Sequence, residues 1–334
     1  MKKNTVKLVT DNGKCTGCSL CYNICAMKAI SMEIDKDGFY APIIDFDKCN
    51  FCGRCHDSCP TISFKNSNKN NPKIYSGWTN NKYYLDNSSS GGIFPELANY
   101  FITNHKGIVY GAIWDNPHTV RHIGIEKTSD IKMLMSSKYL QSKTEDVFLE
   151  IKKLCESNRY VLFSGTPCQV AGLKNFVKSD KLFTVDLVCH GVPSKNIFLK
   201  YMQENKITEI NFRDKLKGWQ SFMIYTKKNK KDRYTHHRLD PFFYGYLENM
   251  YLQKICYSCP FSTLPRTGDI SLGDYWGIKK KAKNTKGTSL MLTNNCNGDI
   301  LLKEMIEKKL IKVESSSLSD ASAKNPRLIT GKLG

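Results

Sequence analysis

The sequence predicts a small α+β cysteine-rich unit fused to a larger α/β body with a mostly buried mixed sheet. Three observations carry this reading. Two dense cysteine runs are confined to the first 65 residues, a polar break follows at 66–72, and strand-like and helix-like stretches alternate from residue 73 onward. At 334 residues the chain is too long for the small unit alone and has room for a second core.

Within residues 1–65, short strands are expected at 30–34 and 40–43, around the cysteine turns. Residues 65–72, Lys-Asn-Ser-Asn-Lys-Asn-Asn-Pro, are polar and without apolar period, which reads as a linker over 66–72. The body is divided into 73–150 and 151–334. It opens with a strand at 73–78, after which Ser88-Ser89-Ser90-Gly91-Gly92 leads into a helix with Ile93, Leu97, Tyr100 and Phe101 on one face. A strand follows at 107–114, then a helix at 144–156 with Val147, Phe148, Ile151, Leu154 and Cys155 inward. The strand at 160–163 meets the turn Ser164-Gly165-Thr166-Pro167, and a helix runs over 168–177. The next strand, 183–188, ends at Cys189-His190-Gly191. A helix at 194–204 and a strand at 210–213 complete the alternation. No GxGxxG follows a strand, so nothing supports a Rossmann dinucleotide site.

The cysteine runs carry the chemistry. Cys15, Cys18, Cys21, Cys25 and Cys49, Cys52, Cys55, Cys59 each repeat the spacing CxxCxxCxxxC, and Pro60 closes the second run. Bacterial dicluster ferredoxins use this spacing. Three thiolates a short turn apart can grip one cubane, but the fourth cannot fold back onto it and reaches the partner cluster. This assigns Cys15, Cys18, Cys21 and Cys59 to one 4Fe-4S cluster, and Cys49, Cys52, Cys55 and Cys25 to the other. Paired CxxC units also build zinc sites, but a zinc ion needs four sulfurs and leaves the interlocked arrangement without a reason. A disulfide framework fits less well, because no secretory signal precedes the run.

Six cysteines remain. Cys155 lies in an amphipathic helix and Cys296 in an Asn-rich turn, and both read as ordinary thiols. Cys168 sits at a strand-to-helix turn, Cys189 at a strand's carboxyl end, and Cys256 and Cys259 form a CxxCP pair. The carboxyl ends of neighbouring strands in an α/β sheet converge on one crevice. These four could therefore complete a third 4Fe-4S site. By spacing alone, a structural zinc or a CxxC redox pair stands as an equal alternative.

The motifs Ser164-Gly165-Thr166-Pro167-Cys168-Gln169, Cys189-His190-Gly191-Val192-Pro193-Ser194, Cys256-Tyr257-Ser258-Cys259-Pro260-Phe261 and Gly268-Asp269-Ile270-Ser271-Leu272-Gly273-Asp274-Tyr275-Trp276-Gly277 occur together and in order. Ser89-Ser90-Gly91-Gly92, Ser137-Lys138-Tyr139-Leu140-Gln141-Ser142, and Phe212-Arg213-Asp214-Lys215 with Gly218-Trp219 fit the same pattern. Over roughly 73–330 the chain resembles the coenzyme F-420 hydrogenase/dehydrogenase beta-subunit family, behind an N-terminal 2[4Fe-4S] ferredoxin domain. The resemblance implies FAD and a 4Fe-4S cluster held together in the body, and a substrate exchanging hydride with the flavin. That substrate is coenzyme F-420 in archaeal relatives and a chlorophyll-type pigment in plant and cyanobacterial ones. Where relatives often carry an arginine, Leu252-Gln253-Lys254-Ile255 has none. Residue chemistry agrees with the flavin. Ser89, Ser90, Gly91 and Gly92 open a helix where backbone N–H groups can meet a pyrophosphate. An ordinary serine cap after a flexible turn explains them equally well. Lys138, Gln141 and Ser142 could bind the flavin's phosphate or pyrimidine edge or lie on a solvated surface helix, Thr166 and Gln169 could contact the isoalloxazine, and Trp276 could pack on a cofactor face or serve as a core aromatic. His190, next to Cys189, is the weak candidate for a catalytic proton relay. His236 and His237 read as exposed.

The formal charge of +19 is uneven. Residues 1–65 hold nine Lys/Arg against seven Asp/Glu, and cluster thiolates would turn this part negative, so the surplus lies on the body. It suits an acidic redox protein or a phosphorylated cofactor. The runs Lys227-Lys228-Asn229-Lys230-Lys231 and Lys279-Lys280-Lys281 read as exposed turns rather than a nucleic-acid groove. No apolar run approaches the ~18–20 residues that span a bilayer, and the expectation is a cytoplasmic protein of an anaerobe. The expected function is an iron–sulfur flavoprotein oxidoreductase that exchanges electrons with a one-electron partner such as ferredoxin. Its alternative is a non-catalytic electron-transfer subunit of a larger redox complex.

Overall fold

The computed structural model describes residues 4–68, 71–278 and 284–333. The Lys279-Lys280-Lys281 run lies outside them. In the N-terminal unit, β1 (Ile30–Ile34) and β2 (Tyr40–Ile44) form an antiparallel hairpin, with Ile30 opposite Ile44 and Ile34 opposite Tyr40. Short helices Lys7–Asp11, Leu20–Ile24, Arg54–Asp57 and Pro60–Ser63 surround it. The small core joins Val6, Val9 and Ile30 to the cysteines Cys21 and Cys59. So few apolar groups bury little surface, and the unit leans on the body for the rest.

The body is built on β3 (Lys73–Thr79), β4 (Ile108–Asn116), β5 (Thr119–Ile125), β6 (Ser142–Lys143), β7 (Val161–Gly165), β8 (Leu182–Leu187), β9 (Ile207–Asp214), β10 (Met223–Lys228), β11 (Lys231–His236), β12 (Ile270–Asp274), β13 (Ser289–Thr293) and β14 (Ile311–Ser316). Nine strands form one mixed sheet in the order β14-β3-β13-β12-β8-β7-β4-β5-β6. Its centre is parallel, β12 with β8, β8 with β7 and β7 with β4, and antiparallel pairs flank it on both sides. Side chains on β7 alternate between layers as a strand requires. Val161 and Phe163 pack with Phe148, Ile151 and Leu173 on one face, while Leu162 packs with Leu97, Phe101 and Leu301 on the other. Helices Val147–Glu156 and Pro167–Phe176 thus cover one side, Ile93–His105 and Cys296–Glu307 the other.

The expected strand at 210–213 is the middle of β9, but β9 belongs to a separate three-stranded sheet, β11-β10-β9. Helices Lys195–Glu204 and Pro241–Leu247 pack on it through Phe198, Phe212, Phe242 and Phe243. The run 227–231 is its hairpin turn, with Asn229 and Lys230 at positive φ. His237 is not exposed: the strand ends at His236, and the next side chain turns inward, stacks on Phe222 at 4.1 Å and hydrogen-bonds the Phe222 carbonyl. Cys296 is exposed and, rather than lying in a turn, begins a helix capped by Asn295.

The two units share a core. Cys18 and Leu20 pack among Phe148, Phe163, Val170 and Leu173 of the body. Asn23 donates to Glu145 O and accepts from Leu149 N, while Ser194 Oγ donates to Asp37 O. The start of the connecting segment is fastened as well. Asn68 is buried, and its amide donates to the Arg266 and Gly268 carbonyls, both at 2.8 Å.

Candidate metal and cofactor sites

Spacing within each cysteine run holds its first three sulfurs to one turn. Cys59 stands with the first run rather than its own: its charge acts on Cys15, Cys18 and Cys21. Cys55 in turn senses Cys25 and Cys49, and one cavity is lined by Cys25, Cys49, Cys52 and Cys55 together. Burial pushes the Cys15 thiol up to about 12 and Cys18 to about 11, with like charges adding to it, and raises Cys21 further. Backbone N–H groups reach the sulfurs: Gly17 to Cys15 at 3.4 Å, Ala29 to Cys25 at 3.3 Å and Val6 to Cys55 at 3.3 Å. Among the described residues no three His, Cys, Asp or Glu side chains close tightly enough to hold a single ion. A cubane spans a wider set of corners, and its cationic iron core removes the desolvation and repulsion that burden these thiols. The donor set fits the group.

A third set assembles in the body. Cys168 follows β7 and Cys189 follows β8, its parallel neighbour, so both arrive at the same sheet edge. The 3-10 turn Lys254–Tyr257 carries Cys256, with Cys259 just beyond. Cys168 senses Cys259 and Cys189, and Cys256 senses Cys189 and Cys259. Burial pushes Cys189 to about 11, Cys256 to about 12 and Cys168 well up. The three sets adjoin one another in turn, and the helix that carries Cys168 packs against Cys18 through Gly172. Cys168 also senses Cys18, and Cys21 senses Cys55, so the first ferredoxin set lies between the body set and the outer one. Cys52, of the outer set, is exposed.

The other predicted contacts divide into two groups. Gln141 serves the joint between units: its amide donates to Thr16 O at 2.9 Å and accepts from Tyr40 N at 3.3 Å. Gln169 and Ser142 satisfy each other at 3.0 Å, while Gln169 closes a capping box with Thr166. Thr166 Oγ1 lies 3.2 Å from Cys168 Sγ. These side chains brace the cysteine turns. The helix after Gly92 is preceded by a tightly packed loop rather than a loose one. Ser90 Oγ donates to Thr288 O, Gly91 N donates to Ser289 Oγ, and a Cβ on Gly91 would meet Gly77 O at 2.5 Å.

Beside that loop the body holds two lysines without a carboxylate hydrogen bond among the described residues. Among the described residues, Lys138 Nζ donates only to the carbonyls of Met135 and Ser136, at 2.7 and 3.2 Å. Lys215 Nζ likewise donates only to those of Leu85 and Ser90, both at 2.7 Å. Burial lowers both ammonium groups to about 7. Ser88 Oγ, Arg213 Nε and His122 Nδ1 are buried without hydrogen-bond partners among the described residues. Ser89 accepts from Ser137 N at 2.8 Å, and its carbonyl accepts from Arg213. Trp276 lies flat on Trp219, centroids 5.1 Å apart, with the Arg213 guanidinium above it. Two partly buried ammonium groups hydrogen-bonded to carbonyls alone among the described residues, with unsatisfied polar atoms beside them, fit a phosphate-bearing ligand such as FAD. His190 is turned away from such a role: Nε2 donates to the Tyr246 carbonyl at 3.2 Å, the geometry of a structural histidine.

Residues 158–318 match the family model for the C terminus of the coenzyme F420 hydrogenase/dehydrogenase beta subunit, and residues 14–62 match the 4Fe-4S dicluster domain. Residues 158–318 thus belong to the F-420 hydrogenase/dehydrogenase beta-subunit family, and a 4Fe-4S ferredoxin domain stands in front of them. A likeness of fold extends over most of the chain. A chain of the F420-reducing NiFe hydrogenase complex from Methanosarcina barkeri superposes with a TM-score of 0.55 at 15% identity, covering 78% of this chain and 89% of that one. The ferredoxin domain is 34% identical over 56 residues to an uncharacterized ferredoxin of Methanocaldococcus jannaschii, spanning 17% of this chain and 71% of the relative. It is 33% identical over 67 residues to NADH-quinone oxidoreductase subunit I 2 of Geobacter metallireducens, 19% of this chain and 51% of the relative. This beta-subunit relative is therefore an iron–sulfur redox protein, and none of its described helices is long and apolar enough to cross a membrane.

Sequence reasoning missed several residues at these sites. Lys215 and Arg213 were visible as motif members without a role. Arg327, which donates to the carbonyls of Cys189 and Cys256, carried no signal, because nothing local links it to either cysteine.

Proposed function

We propose that this protein is an iron–sulfur flavoprotein oxidoreductase with a ferredoxin domain over 1–65 and a catalytic body over 73–334. Cys15, Cys18, Cys21 and Cys59 would hold one 4Fe-4S cluster, Cys25, Cys49, Cys52 and Cys55 the second, and Cys168, Cys189, Cys256 and Cys259 the third. FAD would sit with its phosphates toward Lys138, Lys215 and the Ser88–Gly92 loop. The flavin supplies the conversion between a hydride and single electrons, and the clusters carry those electrons one at a time. The adjacency of the cysteine sets, with Gly172 of the helix that carries Cys168 packed against Cys18 and with Cys21 sensing Cys55, is the observation that supports this reading.

The chain's own residues do the positioning. Gln141, Asn23 and Ser194 fix the ferredoxin domain to the body, so the body set and the first ferredoxin set keep one separation. The core around Phe148, Phe163 and Leu173 excludes water between them. Amide N–H groups on Cys15, Cys25 and Cys55 stabilise the more negative state of each set. A small organic hydride donor or acceptor, with coenzyme F-420 as the first candidate, meets the body, and a one-electron protein such as ferredoxin meets the Cys52 edge.

The test is anaerobic purification followed by side-by-side addition of reduced F-420, NAD(P)H and reduced ferredoxin. Bound flavin that bleaches with one of them, followed by loss of the clusters' visible absorbance, is the expected result. Iron without any flavin would sink the reading. It would favour the second one, an electron-transfer subunit of a larger complex. That alternative is favoured by the exposed apolar group around helix Pro241–Leu247, where Leu239 and Met250 are 75% and 69% accessible. It predicts co-purification with a larger redox enzyme.

A further inference from the structure

The described residues include three well-buried arginines, and they are not alike. Arg213 faces Asp274 at 2.6 Å and Arg266 faces Asp186 at 3.1 Å, so each has its carboxylate. Arg327, only 5% exposed, has none among the described residues. Its Nη1 donates to Gly331 O at 2.7 Å, Nη2 to Cys256 O at 3.1 Å and Nε to Cys189 O at 3.3 Å. Every acceptor is a neutral carbonyl, and two of them belong to cysteines of the body set. A guanidinium buried without a counter-charge is costly. Cys189 and Cys256, which sense Arg327, would supply that negative charge as thiolates of a cluster.

The segment that brings Arg327 there is tied down. Cys259 N donates to Gly331 O at 2.8 Å, Leu333 N donates to Tyr257 O at 3.1 Å, and Ser258 pairs with Lys332. Gly331 lies so close to the Cys259 carbonyl that no side chain fits between. Residues 326–333 thus form a strap across the CxxC pair, and they lie beyond residue 318, where the family match ends.

We propose that this C-terminal strap is a tuning device: Arg327 is the built-in counter-charge of the body cysteine set and raises the reduction potential of the cluster held there. The proposal rests on the reading that Cys168, Cys189, Cys256 and Cys259 hold a 4Fe-4S cluster. A cubane with four thiolates carries a charge of about −2 and about −3 after accepting an electron. A fixed cation within the same buried site favours the more negative state, so it makes reduction easier. Arg327 is a positioning residue. It touches the backbone of the ligands and acts through charge.

The experiment compares full-length wild type, Arg327→Gln and Arg327→Lys, purified anaerobically, by iron content and by redox titration followed by electron paramagnetic resonance. The body cluster's signal is assigned by its loss in Cys189→Ser. In Arg327→Gln the midpoint of that signal should move to lower potential while the two ferredoxin signals stay in place. Arg327→Lys, which keeps the charge, should recover most of the shift. If the Gln variant loses the body cluster's iron and the Lys variant keeps both iron and potential, the charge role also stands. An unchanged midpoint in the Gln variant overturns the proposal, as does an equal effect of both substitutions. A wild-type chain with iron for only the ferredoxin clusters would refute the body-cluster reading itself, a result read from iron content before any potential.

Discussion

Lys138 and Lys215 are the residues whose chemistry is least at rest in the bare protein. Each is an ammonium with carbonyls for company and no carboxylate bonded to it among the described residues, held at about 7 by burial against an ordinary value of 10.5. Between about 7 and 10.5 the unfolded chain binds a proton at each position that the folded chain does not, so the stability of the flavin-free protein rises with pH across that window. Around Lys138 the neighbouring titratable group is His122, and around Lys215 they are Arg213, Asp274, Asp86 and Lys286. A bound phosphate restores the protons, so flavin affinity should fall as pH rises from about 7 toward 10.5. Lys138→Met should weaken FAD binding at pH 7 by roughly tenfold or more, the worth of one charge-assisted hydrogen bond, and make binding less pH-dependent. Equilibrium dialysis of both proteins at pH 7 and pH 9 measures this. Equal affinity and equal slope would remove Lys138 from the flavin site.

At the scale of elements, the helix Pro167–Phe176 is the hinge of the account. It begins one residue before Cys168, and its Gly172 faces the ferredoxin domain, where an added Cβ would stand 3.0 Å from Cys18 Sγ and 3.3 Å from Phe148. That near-contact is what lets the body set and the first ferredoxin set adjoin. Gly172→Val should overpack the joint at a cost of roughly 1–3 kcal/mol. It should also slow electron exchange between the body and the ferredoxin domain. Thermal unfolding under argon and stopped-flow reduction would read the two effects, and a variant with wild-type stability and rate would contradict the packing. Elements were legible in the sequence where the pattern was local. The helix at 93–105 declared its face through Ile93, Leu97, Tyr100 and Phe101, and the strands before Cys168 and Cys189 announced themselves by short apolar runs. The hairpin partner β5 and the buried β12 and β13 did not. β5 pairs with β4 across a tight turn but is interrupted by Arg121, His122 and Gly124, whereas β12 and β13 are placed by β8 and β3, far away in sequence, and β13 is buried on both faces, so it shows no alternation. Gln141 and Arg327 were illegible for the same reason: their roles depend on partners more than a hundred residues away.

Across the whole molecule, two units that each carry cysteine sets are docked through a shared core. The ferredoxin domain alone has a small core, and it gains a second by placing Cys18 and Leu20 in the body's. The order of the sets follows from that docking, with the body set inside, the Cys18 set between and the exposed Cys52 at the rim. The excess positive charge of the chain, +19 before any cluster is counted, lies on the body rather than on the rim. The most direct measurement is iron and acid-labile sulfide per chain in anaerobically purified protein, beside a Cys168→Ser, Cys259→Ser double variant. Three cubanes predict about twelve irons in the wild type and about eight in the variant, with the ferredoxin signals intact. About eight irons in both would contradict the account, because the body sulfurs would then hold no cluster.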